Sequence, residues 1–216
     1  MTIEAVIWDF GGVLTSSPFD NFAQYERERG LPEGFLRRVN ATNPDDNAWA
    51  RFERSEITPE DFDKAFLEDS TALGHPVRGG VIMPLLATRV RPRMVAALKL
   101  CKQHFKVGCI TNNWASKPDG VSTHSRAALD EVLVLFDEVI ESAKAGVRKP
   151  DPAIYLMMCE KLGVEPAACV YLDDLGINCK PAHLLGMQAI KVVDEAQALA
   201  DLARVTGLTF PELEDA

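Results

Sequence analysis

The sequence predicts an α/β fold: a parallel β-sheet layered between helices, with a helical subdomain inserted after the first strand. Three observations carry this. Short apolar runs of strand length recur along the chain. Helical patterns with recognisable caps separate them, as a parallel sheet covered on both faces requires. Between about residues 17 and 88 the alternation stops, and helical spacing continues without a convincing strand.

Ile3–Trp8, apolar and partly β-branched, reads as a buried parallel strand that runs into Asp9 and the tight Gly11-Gly12 loop. The inserted stretch begins with the helical pattern Phe19–Arg29, stopped by Gly30. Thr58-Pro59-Glu60-Asp61 makes a capping-box start, with Phe62, Ala65 and Phe66 following on one side. Gly79-Gly80 is expected to mark the return to the sheet. Residues 1–16 and 89–216 are accordingly assigned to the core, and 17–88 to the insert.

Beyond the insert, Pro92–Gln103 opens with proline and places Val95, Leu98 and Cys101 near one face. Phe105–Ile110, Phe136–Ile140, Ala168–Leu172 and Gln188–Val193 read as further strands. Asp151–Leu162 is the best-marked helix, with Asp151 as N-cap, Pro152 at the first helical position and Gly163 just past the end. Asp194–Val205 closes the pattern with Leu199 and Leu202 facing inward, and Pro211–Ala216 reads as a loose acidic tail.

Composition narrows the function. At 216 residues, 47% hydrophobic and 25% charged, the chain has the make-up of an ordinary soluble domain with a sizeable core. A net charge of −9 argues against non-specific binding of nucleic acid or an anionic membrane. An anionic substrate therefore needs a site built locally from a cation, a lysine and backbone N–H groups. Cys101, Cys109, Cys159, Cys169 and Cys179 form no Cys-x-x-Cys pair and sit in or beside apolar runs. They read as buried reduced thiols of a cytoplasmic protein. No leader pattern opens the chain, and no apolar run approaches the roughly 20 residues of a membrane helix.

In parallel sheets, ligands bind beyond the carboxyl ends of the strands. The polar residues there are Asp9, Thr111-Asn112-Asn113 and Asp173-Asp174. A carboxylate at Asp9 can attack phosphorus and form an aspartyl-phosphate. The Thr111 hydroxyl and the backbone N–H groups after it can hold phosphate oxygens. Lys149, just before a capped helix, can cancel charge on nucleophile and phosphate, with Lys144 as its nearby competitor. Two adjacent acids at one strand end repel each other unless a cation stands beside them, and magnesium takes carboxylate, water and phosphate oxygens. His75, His104, His124 and His183 carry no assignable role.

Asp9-Phe-Gly-Gly-Val, Thr111-Asn112-Asn113, Lys149-Pro-Asp-Pro and Leu172-Asp173-Asp174 resemble the four motifs of the haloacid dehalogenase superfamily. Glu141-Ser142 through Pro152, and Leu172 through Met187, resemble the N-terminal phosphatase domain of soluble epoxide hydrolases and the similar domain fused to some acyl-CoA dehydrogenases. The resemblance spans nearly the whole chain and implies a three-layer, Rossmann-like core, with the insert as a cap that closes over the site and selects the substrate. It implies Asp9 as nucleophile and magnesium ligand, Gly11 offering its carbonyl, Asp174 as a direct ligand and Asp173 assisting through water. Thr111, the Asn112 backbone and Lys149 would hold the phosphoryl group of a small phosphorylated metabolite.

One position departs from the pattern. Phosphatases of this family usually carry a second aspartate two residues after the nucleophile, and here that position is Gly11. General acid–base help is worth about 10²–10⁴ in rate. The expectation is a magnesium-dependent phosphatase for a substrate with a good leaving group, or one whose proton donor lies elsewhere. The alternatives are a phospho-ligand-binding domain without turnover and a haloacid dehalogenase.

Overall fold

The structure, a computed structural model, describes residues 2–86, 89–112 and 129–210. Five parallel strands form one sheet in the order β3-β2-β1-β4-β5. They are β1 Ala5–Trp8, β2 Lys106–Thr111, β3 Glu138–Glu141, β4 Cys169–Asp173 and β5 Gln188–Lys191. Each lies within a residue or two of an apolar run expected to form it. β3 is the most displaced: Phe136 packs into the core ahead of the strand, and the Asp137 N–H donates to the Val107 carbonyl at 2.9 Å as the ladder begins.

β1 is the central strand. It pairs with β2 and β4 on either side, and its four residues are fully buried. Strand side chains alternate between the two faces, so Val6 and Trp8 enter one core while Ala5 and Ile7 enter the other. The first core is closed by Met94, Ala97, Leu98 and Cys101 of helix Pro92–Lys102 and by Leu199 and Leu202 of helix Glu195–Thr206. The second is closed by Ile154, Tyr155 and Met158 of helix Pro152–Leu162 and Ala182 of helix Gly176–Leu184. Helices on both faces of a parallel sheet make three layers, the α/β class the sequence predicts.

The stretch between Ser17 and Leu86 is helical: Phe19–Arg29, Phe35–Ala41, Ala48–Glu53, Pro59–Ala72 and Gly79–Leu85. These helices share a separate apolar cluster around Phe22, Phe35, Phe52, Phe62 and Phe66. Phe52 stacks on Phe62 with ring centroids 4.6 Å apart. Burying each such ring contributes about 1.5–3 kcal/mol, so the cluster can hold these short helices together.

Gly79-Gly80 does not mark the return to the sheet. The pair begins helix Gly79–Leu85, and a Cβ on Gly79 would sit 2.8 Å from the Phe62 ring and 2.9 Å from Asp63 Cα. Two helices approach too closely there for any side chain. The chain rejoins the core at Arg89–Val90, where Ser16 N–H donates to the Arg89 carbonyl at 2.8 Å and Thr15 bridges to Val90. The domain boundary placed between residues 88 and 89 adjoins Ala87 and Thr88, which lie outside the described residues, as do Asn113, His124 and Pro211–Ala216. The five cysteines are free and buried. Among the described residues, no helix is long and apolar enough to cross a membrane.

Candidate active site

β1 and β4 are neighbours in register, with Trp8 beside Leu172, so Asp9 and Asp173 stand side by side at the carboxyl end of the sheet. The Asp9 N–H donates to the Leu172 carbonyl at 2.8 Å, which extends the ladder one step and fixes where the Asp9 side chain starts. Oxygens of Asp9, Asp173 and Asp174 come within 4.8 Å of one another. Lys149 reaches into this group from the loop before helix Pro152–Leu162. Its ammonium lies 2.8 Å from Asp9 Oδ1 and 2.8 Å from Asp173 Oδ2, with a side chain only 1% exposed. The competing lysine is elsewhere: Lys144 is 76% exposed and pairs with Glu141.

The two adjacent acids have different surroundings. Asp173 is fully buried, and both of its oxygens are engaged. Besides Lys149 it accepts from the Tyr171 hydroxyl at 2.5 Å, the Leu175 N–H at 2.8 Å and Asn178 Nδ2 at 3.1 Å. Asp174 is only partly buried, and Ser17 Oγ donates to its Oδ2 at a long 3.5 Å. It packs directly on the backbone of Gly12, where a Cβ would lie 2.2 Å from Asp174 Oδ2. Gly12 also has φ +76°, a region favoured by glycine. Arg91 holds this loop, donating from Nη1 to the Gly12 carbonyl at 2.9 Å. Gly11, by contrast, has nothing within 4 Å of the place a Cβ would occupy.

These neighbours set the charges. Burial pushes the Asp9 carboxyl up to about 8 despite the opposing pull of Lys149, and Asp173 and Asp174 add to the push. Burial also raises Asp174 to about 6, again helped by Asp173. For Lys149, burial favours the neutral form, but Asp173 and Asp9 outweigh it and hold the ammonium above the ordinary lysine range. Three acids around one lysine leave an excess of negative charge that a divalent cation would neutralise. Asp9 and Asp174, with oxygens at short range and open space beside Gly11, suit the all-oxygen preference of magnesium.

Thr111 ends β2, and Asn112 follows it. Asn112 serves the site through its side chain: Oδ1 accepts from the Lys149 N–H at 2.9 Å, and Nδ2 donates to the Lys149 carbonyl at 3.0 Å. Tyr171 and Asn178 support the acids, and sequence reading did not single them out. Tyr171 alternates with Asp173 along β4, so both point to one face of the sheet. Asn178 comes five residues later on helix Gly176–Leu184, and Tyr155 fixes it by donating to its carbonyl at 2.8 Å. Glu53 of the helical insert was likewise not singled out. Burial raises its carboxyl, and Arg148 pulls it back down.

The haloacid dehalogenase-like hydrolase family matches residues 3–183, and the chain belongs to that family. It is therefore a hydrolase. It is 34% identical to bifunctional epoxide hydrolase 2 of Sus scrofa over 96% of this chain and 40% of that protein. Against acyl-CoA dehydrogenase family member 10 of Mus musculus the figures are 32%, 96% and 19%. The chain thus spans less than half of either relative. Phosphatase MT3486 of Mycobacterium tuberculosis is 30% identical over 94% of each chain. Among solved structures, the magnesium complex of a haloacid dehalogenase family enzyme from Bacteroides thetaiotaomicron superposes with TM-score 0.58 at 21% identity. That match covers 89% of this chain and 94% of that one.

Proposed function

We propose that the protein is a magnesium-dependent phosphatase that cleaves a small phosphorylated metabolite through an aspartyl-phosphate on Asp9. The observation that carries this reading is the Lys149 ammonium 2.8 Å from Asp9 Oδ1, in a buried group that includes Asp174. A lysine has three donors, and among the described residues Asp9 and Asp173 take two. The third is left for a phosphoryl oxygen, with the Thr111 hydroxyl and the N–H groups after it as further donors.

Asp9 Oδ1 accepts from Lys149 and from the Phe10 N–H at 2.7 Å, and no hydrogen bond reaches Oδ2 among the described residues. Oδ2 is thus the oxygen to attack phosphorus. The bond to the leaving oxygen breaks as the acyl phosphate forms, and water then hydrolyses it to regenerate Asp9. Asp9, Asp174 and the Gly11 carbonyl would hold magnesium, which supplies neutralising charge for the transferred group. Asp173 contributes by orienting Lys149. Because Gly11 offers no acid, the reading favours leaving groups that depart without a proton: acyl, anomeric or phenolic phosphates. The full-length match to a phosphatase from Mycobacterium tuberculosis supports the same reaction class.

The test is hydrolysis of p-nitrophenyl phosphate and a panel of acyl and sugar 1-phosphates, with magnesium and with chelator. Turnover should need the metal, and Asp9→Asn should lower it by on the order of 10⁴-fold or more. A folded protein inert to the whole panel, or an unimpaired Asp9→Asn variant, would overturn the reading.

A further inference from the structure

Arg148 and Glu53 form an ion pair that the reaction scheme leaves unused. Glu53 is the last residue of helix Ala48–Glu53 in the insert, and Arg148 directly precedes Lys149. Arg148 Nη2 lies 2.7 Å from Glu53 Oε2, with the two side chains 18% and 7% exposed. Both charges are largely withdrawn from water, which is costly unless they stay paired. Two further contacts join the same pieces. Arg148 Nη1 donates to the Pro44 carbonyl at 2.9 Å, and Ser142 Oγ donates to the Glu53 carbonyl at 2.8 Å. All three run from the segment between β3 and Lys149 to one insert segment, 44–53. One peptide further along, Asn112 clasps the Lys149 N–H and carbonyl. The backbone bearing Lys149 is therefore anchored twice, to β2 through Asn112 and to the helical insert through Arg148.

We infer that Arg148 is a positioning residue: by gripping Glu53 and Pro44 of the insert, it fixes the backbone that presents Lys149 to Asp9, so that seating the insert and placing the ammonium are one event. The guanidinium suits this task because its spread of nitrogens reaches the Pro44 carbonyl and the Glu53 carboxylate at once, which the single ammonium of a lysine does not reproduce. The consequence for turnover rests on the phosphatase reading; the anchoring of Lys149 does not.

The test uses the full chain with Arg148→Lys, Glu53→Gln and the double variant, followed by hydrogen exchange and by p-nitrophenyl phosphate kinetics with magnesium. Each single change should speed exchange in segment 44–53 and also at the Lys149 N–H. Each should lower kcat by about 10–10²-fold, as expected for a misplaced reacting group, with a smaller change in KM. The double variant should lose little more than either single one, since both changes remove the same anchor. Faster exchange confined to 44–53 with kcat intact would overturn the inference, as would additive losses. If the wild type turns over no phosphate, the Proposed function falls and exchange alone decides: a Lys149 N–H unchanged in Glu53→Gln overturns the inference, and a faster one supports it. Glu53→Gln keeps the side chain's shape, so it carries the test if Arg148→Lys does not fold.

Discussion

β1 and β4 both present a buried carboxylate at their carboxyl ends, Asp9 just past the first and Asp173 closing the second, and the two are held on opposite plans. After β1 the support is mostly backbone: Phe10 N–H and Lys149 share one oxygen of Asp9, and two glycines follow. After β4 the support is mostly side chains: Lys149, Tyr171 and Asn178, with one backbone N–H, occupy both oxygens of Asp173. A carboxylate with every lone pair engaged is a structural counter-charge. One with an oxygen to spare can react. Asp174 belongs with Asp9 in this respect, although it adjoins Asp173 in sequence.

Changes to each loop can break or sharpen that contrast. The largest effect on stability is expected on the β4 side. Asp173→Asn leaves Lys149 one charged partner short in a fully buried place, which should cost about 3 kcal/mol. Urea unfolding measures it, and an unchanged midpoint would show that Asp173 is not the counter-charge described here.

The β1 loop should respond in function more than in stability. In Gly12→Ala the new Cβ would meet Asp174 Oδ2 at 2.2 Å, so the carboxylate must move. Magnesium affinity should fall by about 10–100-fold, read from the metal concentration that half-activates hydrolysis. Gly11→Asp is the opposite case, because open space awaits the side chain. It should raise turnover of alkyl phosphates by at least about 10-fold relative to p-nitrophenyl phosphate. An unchanged ratio in a folded variant would count against the missing proton donor as the reason for a leaving-group preference.

The remaining contrast is in pH dependence. Asp9 and Asp174 sit at about 8 and about 6, both above the ordinary 3.8, so the folded chain holds their protons more tightly than the unfolded one. That contribution is fully present below about pH 4 and is lost as pH rises through 6 and then 8. In chelator, the melting temperature should decline across this range, and magnesium should restore most of the loss at pH 8. A flat or rising profile would mean the two carboxyls are not held as described.

Much of the sheet was legible in the sequence because buried parallel strands are short apolar runs, and all five runs became strands. Asp9, Thr111 and Asp173-Asp174 were legible for the same reason, since strand ends locate them. Among the helices that were not are Phe35–Ala41, Ala48–Glu53 and Gly176–Leu184. The first two are short and depend on the shared phenylalanine cluster, and the third carries Pro181 in its interior. The partners of the acids were hidden for a different reason. Tyr171 and Asn178 look like ordinary strand and helix residues, and Glu53 meets Arg148 across 95 positions of sequence. Gly79-Gly80 was misjudged because glycine marks a turn and a tight helix contact alike.

The placement of β1 has a consequence for synthesis. Its hydrogen-bonding neighbours begin at Lys106 and Cys169, so Asp9 is made early and the residues that support it much later. A nascent chain that has passed β2 still lacks Lys149 and both acids of β4. Catalytic competence must therefore arrive late, when the far half of the polypeptide docks against a strand that left the ribosome long before.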